Sequence, residues 1–130
     1  MCLITKQICP IRARKDIVVY KNFEESTVGK HDYMFTSVRC IRIKRPEKGK
    51  YIIMDDTRLN IESAKHYPQC YTSIYGGMIH SYVSLDIAKS RHQICFKIMT
   101  FKCIIPKGTL YYKGINGDIC SKKLLIIEEV

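Results

Sequence analysis

The chain has 130 residues, of which 46% are hydrophobic and 26% charged, and it carries a formal net charge of +10. That length suits one domain, because a single core serves chains up to roughly 150 residues, and that composition excludes both a disordered protein and a membrane-spanning one. The longest apolar runs, such as Ile17 to Tyr20 and Leu124 to Ile127, fall far short of the roughly 20 residues a spanning helix requires, so a soluble protein with no membrane partner is expected.

Met1 to Arg14 is interrupted by Lys6, Gln7, Pro10, Arg12 and Arg14, which leaves no apolar stretch long enough for a signal peptide. A cytoplasmic location is the expectation. Residues 1–15 read as an irregular arm. Asp16 to Phe23 reads as a central strand, because Ile17, Val18, Val19 and Tyr20 are β-branched or aromatic. Glu24 to Asp32 is polar and contains Gly29, as a loop would. Tyr33 to Lys44 alternates apolar and polar residues and predicts one strand, or two broken near Thr36. Pro46 to Lys50 supplies proline and glycine, so Arg39 to Lys50 is expected to form a hairpin limb and its turn, leading into Tyr51 to Met54.

Leu59, Ile61 and Ala64 suggest a short helix over Thr57 to His66, ended by Pro68. Tyr71 to Tyr75 is short and aromatic, and Gly76-Gly77 permits a tight turn. Ser84 to His92 is a better helix, with Ser84 as N-cap, Asp86 in the first turn, and Lys89, Arg91 and His92 at the C-terminal end. Ile94 to Ile105 is a long strand in which Cys95, Lys97, Met99, Phe101, Cys103 and Ile105 share one parity, with a bulge or split expected at Lys97. Pro106-Lys107-Gly108-Thr109 is a turn, Leu110 to Lys113 a strand, and Asn116-Gly117 a hairpin turn. Leu124 to Ile127 reads as a terminal strand buried on both sides. Lys102 to Glu129 therefore closes the chain as a β-hairpin. The predicted fold class is α+β: a mostly antiparallel twisted sheet of about six strands with one or two short helices.

Seven cysteines of irregular spacing, without an export signal, read as reduced thiols; Cys40, Cys95, Cys103 and Cys120 lie in apolar or alternating segments and are expected to fill the core. No C-x-x-C or H-x-x-x-H pair occurs among the cysteines and His31, His66, His80 and His92, so neither a metal site nor a cofactor is expected. The charge favours a polyanionic partner. It concentrates in Arg39, Arg42, Lys44, Arg45, Lys48 and Lys50, opposed only by Glu47, and again between Lys89 and Lys107, where no acid occurs. Such clusters serve either as anion-binding surfaces or as solvated faces that keep a small protein soluble.

Gly77-Met78-Ile79-His80-Ser81-Tyr82, Leu85 to Lys89, Cys103 to Thr109, Tyr111-Tyr112, Gly114, Gly117-Asp118 and Ser121 to Leu124 together resemble a family of short proteins from gut Bacteroidota and their phages. The resemblance implies an architecture but no activity. It implies a setting in a bacterium or its phage, where nucleotide signalling or defence is the process such a protein would act on. A looser likeness links Ile105 to Thr109 and Tyr71-Thr72-Ser73 to ADP-ribosyltransferases. In that likeness Tyr20-Lys21 stands where those enzymes place an arginine or histidine. The late-strand glutamate they need has no counterpart, since Asp118 lies in a turn and Glu128 and Glu129 at the chain end.

His80 lies between a glycine pair and a helix start, where backbone amides could hold an anion and an imidazole could titrate near neutral pH; the alternative is a histidine that ties a loop to the sheet. Ser81 and Ser84 could bind phosphate or simply cap the helix. Tyrosines interleaved with lysines are either stacking platforms for bases or cross-strand pairs. The expected function is a non-enzymatic binding protein for an anionic ligand, a nucleotide or nucleic acid. His80, Ser81, Tyr82, Ser84, Lys107 and Lys21 are its candidate contacts, and no catalytic residue is assigned. An NAD-using transferase or its degenerate relative, and a protein-interaction module, are the alternatives.

Overall fold

A computed structural model describes residues 3–25, 32–35, 42–44, 46–54, 60–63, 71–92 and 97–130. In chain order the strands begin with β1 (Leu3–Thr5), β2 (Ile11–Arg12), β3 (Ile17–Glu25), β4 (Asp32–Phe35) and β5 (Arg42–Lys44). They continue with β6 (Tyr51–Ile53), β7 (Asn60–Ser63), β8 (Thr72–Gly76) and β9 (Ile79–Tyr82). Helix α1 (Leu85–Ser90) follows, then β10 (Ile98–Ile105), β11 (Leu110–Lys113), β12 (Asp118–Ser121) and β13 (Lys123–Glu129). The larger sheet runs β2-β11-β12-β9-β3-β10-β13-β6, with β4 also paired to β3 and β5 to β4; a second sheet runs β1-β8-β7. Among the described residues every strand pairing is antiparallel. The α+β expectation therefore holds in its coarse form, a mostly antiparallel sheet with, among the described residues, one short helix and ten strands in the larger sheet rather than about six.

Strand β3 is long because its sequence is rich in β-branched and aromatic residues, and it is central because both of its edges are paired, to β9 and β10. Val19, Lys21 and Phe23 share one parity and all are buried, as are Phe101, Cys103 and Ile105 of β10. Phe23 and Phe101 meet edge to face, with centroids 5.6 Å apart and rings at 85°, an arrangement worth about 1 kcal/mol beyond the area it buries. These residues join Ile79, Ile119, Leu124 and Ile126 in the main core. Leu3, Ile74, Met78, Tyr112 and Cys120 form a smaller core beside the second sheet.

Ser84 caps α1 as expected: its Oγ accepts from Ile87 N–H at 3.2 Å. Ala88 is fully buried against the sheet, and its carbonyl accepts from Asn22 Nδ2 at 2.8 Å. Asn22 Oδ1 in turn accepts from the Thr100 hydroxyl at 2.7 Å, which leaves Thr100 Oγ1 to accept from His92 Nε2 at 2.8 Å. This chain of bonds fastens the C-terminal end of α1 to β3 and β10 and fixes the His92 tautomer.

Several expectations are corrected. Within the expected irregular arm, residues 3–15 carry two short strands, and Leu3 and Thr5 are fully buried where β1 pairs with β8. Asn60–Ser63 is strand β7 rather than helix, held by pairing with β8; the rest of the expected helix, Thr57 to Leu59 and Ala64 to His66, lies outside the described residues. Tyr51–Ile53 does not fold back on β5 but pairs with β13, and Gly49 N–H donates to Ile126 O at 2.8 Å. Of the expected strand Ile94 to Ile105, residues 94–96 lie outside the described residues; Lys97 immediately precedes β10, and a register shift falls at Lys102/Cys103, against β13. β13 alternates: Leu124 and Ile126 are buried, Leu125 and Ile127 half-buried. Its pairing with β10, from Phe101↔Glu129 to Ile104↔Leu125, forms the expected outer hairpin around β11 and β12.

Candidate anion-binding groove

A groove of about 420 Å3 opens where β2, β6, the β10–β11 turn and the β12–β13 junction converge; Arg12, Ile53, Pro106 to Leu110, Lys122 and Lys123 line it. Each cation is placed by the backbone beneath it. Thr109 N–H donates to Pro106 O at 3.1 Å, and Gly108 holds φ at 87°, so the turn projects Lys107 outward with glycine where a left-handed residue is needed. Asp16 Oδ1 fixes this turn from outside by accepting from Lys107 N–H at 2.8 Å. Arg12 sits opposite Leu110 in the β2–β11 pair, and its guanidinium donates to Gly108 O at 3.0 Å.

The opposite wall is the junction. Lys122 N–H donates to Leu110 O, Lys122 O accepts from Met54 N–H, and Lys122 Nζ donates to Gly77 O at 2.7 Å. Lys123 lies opposite Ile53, with its ammonium 4.2 Å from the centroid of the Tyr51 ring, a cation–π contact worth about 0.5–1 kcal/mol at an exposed site. No acidic side chain lines the groove, and Arg12, Lys107 and Lys123 make no ion pair among the described residues. Three cations, Arg12, Lys107 and Lys123, around one concavity, with Lys122 in its wall but its ammonium held on Gly77 O, concentrate positive potential, which attracts phosphate or carboxylate groups.

The residues singled out in the sequence divide between this groove and the interior. Lys107 lines the groove. Lys21, His80, Ser81 and Tyr82 are all buried, and Ser84 is spent on the cap. Ser81 Oγ donates to Ile119 O at 3.3 Å. Burial pushes Lys21 down to about 7, against the raising influence of Cys103, and its Nζ lies 5.9 Å from the Phe23 ring centroid. Burial and the Lys21 charge push His80 down to about 3, so its imidazole is neutral; its Nε2 has no hydrogen-bond partner among the described residues. Lys21 and His80 are thus brought together, but inside the fold. Burial likewise raises Tyr82 and its cross-strand partner Asp118.

Of the basic cluster, Lys48 and Lys50 are exposed. Arg42 and Lys44 belong to β5, and Arg39 and Arg45 lie outside the described residues. Cys40 and Cys95 also lie outside them, whereas Cys103 and Cys120 are buried free thiols, each pushed up to about 12 by burial. The residues behind the looser transferase likeness are spread apart: Lys21 is in the core of the larger sheet, Thr72 and Ser73 are in the second sheet, and Glu128 and Glu129 are exposed at the chain end. No helix among the described residues is long and apolar enough to cross a membrane.

Arg12, Lys122 and Lys123 were missed by sequence reasoning. The one available signal was the adjacent lysine pair before the terminal strand. Comparison of the chain with protein-family models, curated proteins and solved structures finds no match.

Proposed function

We propose that this chain is a non-enzymatic binding protein that holds the phosphate groups of a nucleotide or nucleic acid in the groove between Arg12, Lys107, Lys122 and Lys123. The observation that carries this reading is the gathering of three cations, Arg12, Lys107 and Lys123, from chain segments up to 111 positions apart, around one groove without an acidic lining residue. Placement of each by a backbone turn or strand pairing lowers the ordering cost of binding. The small pocket wall formed by Ile53 and Leu110 adds apolar surface that a bare phosphate site would not need.

Thermal unfolding in the presence of nucleoside triphosphates and short oligonucleotides tests the reading. A ligand present at about 100 times its Kd stabilises the native state by about 2.7 kcal/mol, which is readily seen as a rise in Tm. The double variant Lys107→Ala/Lys123→Ala is expected to lower the Tm without ligand only slightly, through loss of the Lys123–Tyr51 contact, and to lose most of the rise. An undiminished rise in the double variant would exclude the groove.

A further inference from the structure

The groove does not end at its cations. Tyr51 and Ile53 share one parity of β6 and are 52% and 58% exposed, so an aromatic and an aliphatic side chain stand about 7 Å apart on one outward face. Ile53 lines the groove, and Lys123, which also lines it, carries its ammonium to the Tyr51 ring. The ring is therefore continuous with the phosphate-attracting wall. Among tyrosines whose side chains are described, Tyr51 alone is exposed; Tyr82 and Tyr112 are buried, and Tyr20, Tyr71 and Tyr111 are half-buried. The cations occupy both walls, Arg12 and Lys107 on one and Lys123 on the other, a spread that suits successive phosphates better than a single one.

From this arrangement, and resting on the anion-binding reading above, we infer that the ligand is a single-stranded nucleic acid, with an unpaired base stacked on Tyr51 and its flanking phosphates among Lys123, Lys107 and Arg12. A base in a duplex has both faces covered by its neighbours and cannot use the ring. Stacking on an aromatic beside a basic track is also tolerant of base identity. The groove lining fits that tolerance, since it contains no asparagine or glutamine to read a base edge and its arginine already donates to Gly108 O.

The test is fluorescence anisotropy with a labelled oligothymidylate of roughly ten nucleotides, an abasic strand of the same length and the corresponding duplex. The expected result is that wild-type protein binds oligothymidylate about tenfold more tightly than the abasic strand. Tyr51→Ala removes that preference, Tyr51→Phe keeps it, and Lys107→Ala weakens both strands alike. The abasic comparison needs no variant, so the inference stays testable even if Tyr51→Ala folds poorly. Equal binding of the thymidylate and abasic strands, with weakening by Lys107→Ala, would overturn the stacking and leave the anion-binding reading standing. Duplex, thymidine triphosphate or polyglutamate competing as well as unlabelled oligothymidylate would overturn the choice of ligand. Absence of salt-sensitive binding to any of these would overturn both readings.

Discussion

The interior around Lys21 and the groove around Lys107 hold the same kind of side chain under opposite conditions. Lys21 is 1% exposed, and loss of water drives its amine toward the neutral form at physiological pH. Lys107 stands on a turn in solvent. The comparison shows that lysine content alone says little about where charge is delivered, because burial withdraws a cation from the surface field while a turn presents it. Substitutions inside should therefore change stability, and substitutions in the groove should change ligand affinity.

The largest expected effect comes from Lys21. Its amine titrates near 7 in the folded chain and at an ordinary 10.5 when unfolded, so between these values the unfolded state binds more protons and wild-type stability rises with pH. The shift corresponds to several kcal/mol, withheld at and below neutral pH. The buried Cys103 and Cys120 thiols work the other way above about pH 9, because only the unfolded chain ionises them there. Lys21→Met retains both cysteines. Denaturant titrations from pH 7.5 to 8.5, above the range where His80, held neutral in the fold, is protonated in the unfolded chain and adds a slope of its own, should thus show a rise with pH in the wild type that Lys21→Met lacks; parallel curves would show that the amine keeps its ordinary affinity for protons.

Next in size is Asn22→Leu, which leaves the Thr100 hydroxyl and Ala88 carbonyl without the amide that joins them and should cost about 2 kcal/mol in chemical denaturation. Ser84→Ala removes the cap of α1 and should cost about 1 kcal/mol. Neither should alter oligonucleotide affinity by more than its effect on the folded fraction. Lys107→Ala/Lys123→Ala should move stability by no more than about 1 kcal/mol, the worth of the Lys123–Tyr51 contact. It should nevertheless flatten the salt dependence of single-strand binding by about 1.4 in log–log slope, at about 0.7 for each phosphate no longer neutralised. A binding defect in the interior variants and none in the groove pair would reverse the assignment of the two regions.

What was legible in the sequence was what local chemistry decides. The β-branched run at Ile17 to Val19, the Ser84 cap, and the glycines at 108 and 117 act within a few residues, and the structure places a strand, a helix start and two turns there. Gly117 has a further role invisible in sequence, since a Cβ there would run into Ile87 of α1. Strand β7 was misread because Leu59, Ile61 and Ala64 fit a helical spacing over too short a span, and the pairing Ile61↔Ile74 that decides the matter is a tertiary contact. β1 was missed for the same reason: its partner, Ile74 opposite Leu3, is remote in the chain. The groove was the least legible, because Arg12 and Lys122 become neighbours only after β2, β11 and β12 have paired. Lys21 shows the reverse error, a surface-type residue placed inside by strand parity alone.

The interruption between β12 and β13 carries one more consequence. Along an uninterrupted strand, adjacent side chains point to opposite faces, so Lys122 and Lys123 could not both serve one cleft. Here the ladder passes from one set of neighbours to another at residue 122, where the Ser121 hydroxyl donates to Lys123 O at 3.2 Å, and both lysines line the same wall. The corner that lets one stretch of chain serve two parts of the sheet therefore also sends two adjacent ammonium groups to different tasks, Lys122 to fasten the Gly77 carbonyl and Lys123 to the Tyr51 ring beside the groove.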